Sequence, residues 1–367
     1  MTTRLLIPST LLAALTVTSL LSGCQSAFGP QALARTHPAY NAAISASVNE
    51  QMLQNLVRLR YRDVALFLEI GSVTASLSLG ANIGASASVE IGGSDSLSPA
   101  AGIVYSDNPT ISYAPLRGED LLKSILSPLQ LESILVLTQS GWSIDRVFGL
   151  CFERINNLYN APTASGPTPE TAPDYQQFNR LLHLLRNLQS RRLIEIGAQQ
   201  NGEDSEIVVQ LTASDKDLAH EIGQVYDLLQ LDRSSSRFKL NTDFLEVAGS
   251  QWTVRTRSIS SLLYYLSQNV EAPGAHRSAG LVTVTTAEHG GAFDWSDTPA
   301  GNLFKVRSGS ERAEDAYIAT YYRGHWFWIE DSDLQSKSTF MLLRQLFDLQ
   351  AGQSTFQGPT LTLPVGR

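Results

Sequence analysis

Few residues in this chain combine the types and spacings that chemistry needs. It has two cysteines and six histidines. Cys24 ends the run Leu21-Ser22-Gly23-Cys24, where its thiol is the one good nucleophile available. Cys151 sits in an apolar stripe at helical spacing, with Val147, Phe148, Ile155 and Leu158, and reads as a buried structural thiol. His37, His183, His220, His276, His289 and His325 are scattered singly, and no pair has metal-ligand spacing. His183 within Leu181-Leu182-His183-Leu184-Leu185 reads as an ordinary helix histidine, and Glu288-His289-Gly290-Gly291 as a turn. There is no Gly-x-Ser-x-Gly elbow, Ser-x-x-Lys, P-loop or His-Glu-x-x-His, so no catalytic residue, metal or cofactor is assigned.

The richest cluster runs from Tyr321 to Asp333 and combines a histidine, acids, a serine and several aromatics. A hydrolytic relay could be built from His, Asp and Ser. Adjacent strand residues point to opposite faces, however, so His325, Phe327 and Ile329 share a face that excludes Trp326 and Trp328. The preferred reading is an aromatic sheet face packed on the last helix. Tyr322, His325, Trp326 and Trp328 are kept as a candidate binding surface. Asp331-Ser332-Asp333 reads as the N-cap of that helix.

The N-terminus carries an address. Arg4 supplies a positive start, Leu5 to Leu21 is mostly apolar, and the run is too short and too rich in hydroxyls for a transmembrane helix. Leu21-Ser22-Gly23-Cys24 resembles the lipobox of bacterial lipoproteins. That resemblance implies cleavage before Cys24, acylation of its thiol and new amine (the palmitate-type anchor), and, with Gln25 rather than Asp next, the Gram-negative outer membrane with the body facing the periplasm. Acyl chains anchor stably because each buried methylene contributes about 0.8 kcal/mol. The stretches Asn49 to Asp63, Pro115 to Asp120 and Tyr322 to Trp328 also resemble uncharacterised bacterial lipoproteins, a likeness that spans most of the mature chain and implies location without an activity.

Composition agrees with a folded protein. Of 367 residues 43% are hydrophobic and 17% charged, and the net charge is −8. The acidic balance argues against nucleic acid as a partner, and two cysteines exclude a disulfide-dense scaffold. From Val73 to Ile91 odd positions are apolar and even positions small or polar, the period of an amphipathic strand. Ala101 to Tyr113 is a candidate partner strand. Parity within the run requires either an odd-length turn near Ala81-Asn82-Ile83 or one long strand. Three readings compete: a hairpin contributed by each subunit to an outer-membrane barrel, a periplasmic sheet covered by helices, or a flexible loop. The Ala-rich apolar face favours the second.

The expected fold class is α+β: an N-terminal helix, a long amphipathic β-hairpin (about 70–114) and a helical block, then a mixed C-terminal domain. The expected boundaries are a signal peptide at 1–23, a lipidated tether at 24–44, helix, hairpin and helical block at 45–160, a Pro-rich linker at 161–173, an α+β domain at 174–351 and an extended tail at 352–367. Helices are expected at 47–63, 174–192, 215–231, 258–268 and 336–351. Strands are expected at 193–196, 207–211, 282–285, 303–306, and at 316–322 and 325–329 about Arg323-Gly324. Arg58, Arg60 and Arg62 near the first helix's C-terminus read as a solvated helix end, with lipid phosphates as the other use. The leading functional expectation is a structural or assembly component of an envelope complex, more readily non-enzymatic, oligomerising through residues 72–114. The alternative is an enzyme acting on envelope glycan or lipid, or a ligand-binding module, with its site near His325.

Overall fold

A computed structural model describes residues 25–74, 77–88, 96–107, 110–115, 119–201, 204–212, 216–242, 249, 251–351 and 361–364. Cys24 and the signal segment lie outside the described residues. The chain divides into two units, Met1–Glu50 and Gln51–Arg367. The fold class is α+β, as expected, and no described sheet closes into a barrel. No described helix is long and apolar enough to cross a membrane.

Helix α1 (Gln25–Arg60) has 36 residues and reaches back through the segment expected to be a tether. Alanines at 27, 32, 34, 39, 42, 43 and 46 favour the helical state here, against the cost of Pro30 and Pro38. Its last turns bury Met52, Leu53, Leu56 and Val57 in the core of the second unit.

The alternating segment forms an antiparallel ribbon. β1 (Leu68–Thr74) pairs with β4 (Thr110–Pro115), and β2 (Leu77–Ser88) pairs with β3 (Ser96–Asp107). Thr74 faces Thr110 and Leu77 faces Asp107, so one register runs through both ladders. A turn at Ala81-Asn82-Ile83 is therefore ruled out: these residues face Ile103, Gly102 and Ala101 in mid-strand, and the reversal lies between Ser88 and Ser96. A bulge between Ile70 and Ser72 interrupts the register near the base, where bulges bend and twist a strand. The expected extended tail supplies β14 (Leu361–Pro364), which pairs with β4 and makes the base three-stranded. Among the described residues β2 and β3 pack chiefly on each other.

The helical block resolves into α2 (Glu119–Leu126), α3 (Leu131–Gln139) and α4 (Ile144–Cys151). Ser143 stands at the α4 N-cap, but the Gln189 carbonyl oxygen, not the serine, accepts from the Ile144 N–H at 2.9 Å. A six-stranded sheet follows in the order β6-β5-β10-β9-β8-β7: β5 (Phe152–Ile155), β6 (Leu158–Tyr159), β7 (Ile194–Asn201), β8 (Asp204–Leu211), β9 (Arg237–Asn241) and β10 (Gln251–Thr256). Only the β9–β10 pair is parallel. Helices α5 (Gln176–Ser190), α6 (Lys216–Leu229) and α7 (Ile259–Ser267) match their expected spans within two residues, and α5 buries Phe178, Leu181, Leu182, Leu185 and Leu188 as its pattern requires. A short helix α8 (Gly274–Ser278) precedes two segments expected as strands, 282–285 and 303–306. Neither joins a ladder. Their hydrogen bonds go singly to loops, as in Phe293 N–H to Thr285 O and Val306 N–H to Asn269 O.

The last layer is β11 (Arg307–Gly309), β12 (Ala316–Tyr322) and β13 (His325–Glu330), in the order β11-β13-β12, followed by α9 (Leu334–Ala351). Arg323 (φ 47°) and Gly324 (φ 83°) both adopt positive φ, the requirement of a two-residue hairpin turn of matching twist. Asp333 caps α9 as expected, accepting from the Ser336 N–H at 3.0 Å.

The Pro-rich segment 161–173 is not a free linker. Ala161 and Ala164 are fully buried, Pro162–Ser165 forms a 3-10 turn, and Thr171 bridges to Thr286. The buried guanidinium of Arg257 holds this segment in place. It donates to Ser165 Oγ and to the Asn160 carbonyl, and lies 4.2 Å over the Tyr265 ring, with Glu153 Oε2 at 3.9 Å. Removing one partner of such a site strands the others in low dielectric, at about 3–5 kcal/mol. Arg257→Ala should lower unfolding free energy by that amount in urea melts, and Arg257→Lys, which cannot fork or stack, should recover less than half.

Candidate functional site

Two regions concentrate the unusual features: the root of the ribbon and a polar aromatic cluster beside it. At the root, α1 grips the entering strand through side chains. Asn55, fully buried, donates from Nδ2 to the Leu66 carbonyl at 2.7 Å and accepts from the Leu66 N–H at 2.8 Å. Gln51 Oε1 accepts from the Leu68 N–H at 3.0 Å. Phe67 stacks on Phe347 of α9 with ring centroids 4.9 Å apart. On the returning side, Ser124 of α2 donates to the Gln350 carbonyl at 2.6 Å, and Gln350 Nε2 donates back to the Ser124 carbonyl at 3.1 Å. The entering end of the ribbon is thus tied to the body by side chains that replace backbone partners, and α2, which follows the returning strand, is tied to α9.

A groove of about 550 Å³ opens at this root, lined by Leu59, Asp63, Phe67, Ile125, Leu263 and Tyr264 among others. Around it Val64 is 81% exposed, Leu122 58% and Leu126 61%, and Leu66 is also exposed. The root therefore carries apolar surface on both sides of the ribbon.

The cluster is centred on Tyr61. Its hydroxyl lies 2.7 Å from His276 Nδ1, and the His276 and His325 rings are 4.7 Å apart, edge to face. Tyr322 stands 5.7 Å from Tyr61, and its hydroxyl donates to Asp63. Arg323 donates to the same carboxylate at 2.8 Å and lies 5.2 Å over the Tyr61 ring. Burial pushes the Tyr61 phenol up to about 12, against the fields of Arg60 and Arg323. Burial also works against ionising Asp63, but donation from Tyr322 and Arg323 outweighs it and holds the carboxyl below its ordinary value. His276 is held below its ordinary value first by burial and then by His325 and Arg323.

Of the candidate binding surface, the structure unites only Tyr322 and His325, which face each other across the hairpin and join the Tyr61 cluster. Trp326 and Trp328 fall on the other face, as alternation dictates. Trp326 packs on Tyr321 (5.3 Å) and under Arg312 (5.3 Å), and Trp328 covers Gly309, where an added Cβ would come within 3.1 Å of the ring. The four residues do not form one surface. Tyr61, Asp63 and His276 are the members that sequence reasoning missed; nothing local in the chain links positions 61, 276 and 322.

The three arginines bond back to the body rather than forming a merely solvated helix end. Arg58 donates to the Val64 carbonyl at 2.8 Å, Arg60 to the Thr283 carbonyl at 3.0 Å, and Arg62 to Thr283 Oγ1. Burial lowers Arg60 to about 10. Cys151 is fully buried and free, its thiol pushed up to about 12 by burial, as a structural thiol should be. Among the described residues no group of three or more His, Cys, Asp or Glu could hold a metal ion. Comparison with protein-family models, with curated proteins and with solved structures found no match.

Two outcomes test this geometry. Asn55→Ala should cost about 1–3 kcal/mol by leaving the Leu66 amide and carbonyl unpaired, and hydrogen exchange should rise first in residues 66–68. The second concerns pH. A histidine whose folded pKa is lowered binds a proton more readily when unfolded, so stability falls as pH drops below the ordinary 6.5. Asp63, lowered from 3.8, loses its contribution only at more acid pH, as pH falls through its folded pKa. His276→Phe should flatten the stability profile between about pH 7 and 5 and leave the acid limb unchanged. An unchanged slope in urea titrations across that window would show that His276 is not the group responsible.

Proposed function

We propose that the chain is a lipoprotein anchored through Cys24 in the outer membrane, facing the periplasm, with a structural or assembly role in an envelope complex through residues 72–114. The observation that carries this reading is the ribbon. Its inner part, β2 and β3, is long, uncharged up to Asp107 and tied at its root to the body. A segment of that kind serves attachment to something else, since two strands alone are at best marginally stable in water. The lipobox resemblance at Leu21-Ser22-Gly23-Cys24 supports the anchor.

An enzyme or ligand-binding module at His325 finds less support. Tyr61 spends its hydroxyl on His276, and Tyr322 and Arg323 both donate to Asp63, which is the arrangement of a clamp. Metabolic labelling with a clickable palmitate analogue, followed by density-gradient separation of the two membranes, tests the anchor. The wild-type chain should carry label and sediment with the outer membrane, and Cys24→Ala should lose the label and leave that fraction. Unlabelled wild-type protein would overturn the reading.

A further inference from the structure

The register of the ribbon changes what its faces are. Read along β2 alone, the apolar face looks thin: Leu77, Leu79, Ala81, Ile83, Ala85 and Ala87. Across the ladder each small residue but Ala85, which faces Pro99, meets a large one: Ala81 faces Ile103, Ala87 faces Leu97, and Ile83 faces Ala101. Directly opposed residues lie on one face of a sheet, so this face is apolar from Leu79–Tyr105 to Ala87–Leu97. The other face pairs Ser78 with Ser106, Asn82 with Gly102, Ser86 with Ser98 and Ser88 with Ser96. Gly80 with Val104 and Gly84 with Ala100 complete it, so this face is built of small and mostly hydrophilic residues, with Val104 as its one large apolar member.

Charge marks the limits of this band. Between Arg62 and Arg117 the chain has no lysine or arginine, and β2 and β3 hold no charge before Asp107 at the root. Glu90 and Asp95 fall in the stretch joining the two strands. Each strand has 12 residues, or about 40 Å of length at about 3.3 Å per residue. Tilted by about 40°, as barrel strands are, that covers about 30 Å, the thickness of a bilayer's hydrocarbon core. Tyr105 and Tyr113 lie toward the root, where an aromatic girdle would meet the interface.

We infer that β2 and β3 form a membrane-spanning hairpin, and that further copies of this chain pair with its two edges to close a β-barrel. This rests on the assembly role proposed above. A hydrocarbon medium tolerates no unpaired strand edge. Among the described residues neither outer edge of β2–β3 is paired within one chain, because β14 reaches only as far as Thr110 on β4. The β2 edge of one copy and the β3 edge of the next are antiparallel and equal in length, and neither carries the guarding lysines that keep edges apart. Joining them keeps the apolar face continuous outward and the Ser/Gly/Asn face inward. Such head-to-tail pairing closes into a ring. The smallest known barrels have about eight strands, so at least about four copies are needed. The exposed Val64, Leu66, Leu122 and Leu126 bracket the root at the interface.

The test uses the full-length acylated chain in outer-membrane vesicles and in mild detergent. Single cysteines at Ser78, Leu79, Ala85 and Ser86 are probed with a membrane-impermeant maleimide, Cys151 being buried. Ser78→Cys and Ser86→Cys should label, whereas labelling at Leu79→Cys and Ala85→Cys should be lost. Native mass spectrometry should show particles of four or more copies. Ala85→Arg, or replacement of 77–107 by a short turn, should yield monomers whose body keeps its near-ultraviolet dichroism. Monomeric wild-type protein, uniform labelling, oligomers that survive the replacement, or a different protein bound at the ribbon would each overturn the barrel. Cys24 acylation and outer-membrane sedimentation, read on the same samples, stand or fall independently.

Discussion

A buried positive charge organises the second unit. Arg257 is 1% exposed, and its guanidinium has to be satisfied where it sits. Its side chain fastens Asn160 and Ser165, while its backbone N–H donates to Cys151 and its carbonyl accepts from Leu129. One residue at the end of β10 thereby ties the loop before α3, the end of α4 and the Pro-rich turn to the start of α7. Burial works against the charge and Tyr265 and Glu153 support it. An apolar residue of similar volume would cost less desolvation, but it would not specify which of these segments meet.

That rigidity matters because the ribbon is held only at one end. Two-stranded ladders gain no core of their own, so orientation must come from the attachment. Asn55 acts as a false strand for Leu66, and the Ser124–Gln350 exchange couples α2 to α9. The Tyr61 cluster begins six residues on from Asn55, just past the end of α1, and Asp63 within it receives Tyr322 and Arg323 from the β12–β13 hairpin. Arg323 accepts a positive φ in exchange for that contact, and the turn is thereby locked to the root rather than left at the surface.

Much of the body was legible because its signals are local. The apolar face of α5, the turn at Arg323-Gly324, the Asp333 cap and the buried Cys151 all follow from spacing within a dozen residues. The errors share a cause. Ala161 to Pro173 has the composition of a linker, and nothing nearby reveals that an arginine some ninety positions later will bury it. Segments 282–285 and 303–306 have strand chemistry but find loops as partners. Trp326 and Trp328 were grouped with His325 by proximity in the chain, although the alternation that separates them was visible. The Tyr61 cluster draws on positions 61, 63, 276, 322, 323 and 325, a set that only the fold can assemble.

The ribbon shows the same limit in reverse. Its alternation was plain, yet its character depended on register, which one strand cannot disclose. Ala81 and Ala87 look like gaps until Ile103 and Leu97 are known to stand opposite. The overall charged fraction of 17% misleads for a related reason. It averages a body dense in ion pairs, such as Arg233–Asp227 and Lys337–Asp331, with a stretch from Val64 to Leu116 whose only charges are Glu69, Glu90, Asp95 and Asp107. A water-exposed ribbon gains from charged edges, since they keep it from pairing with its own kind. Omitting them along both strands while keeping one face apolar and the other small and mostly hydrophilic suits a medium in which strand edges must be paired and the two faces meet different surroundings.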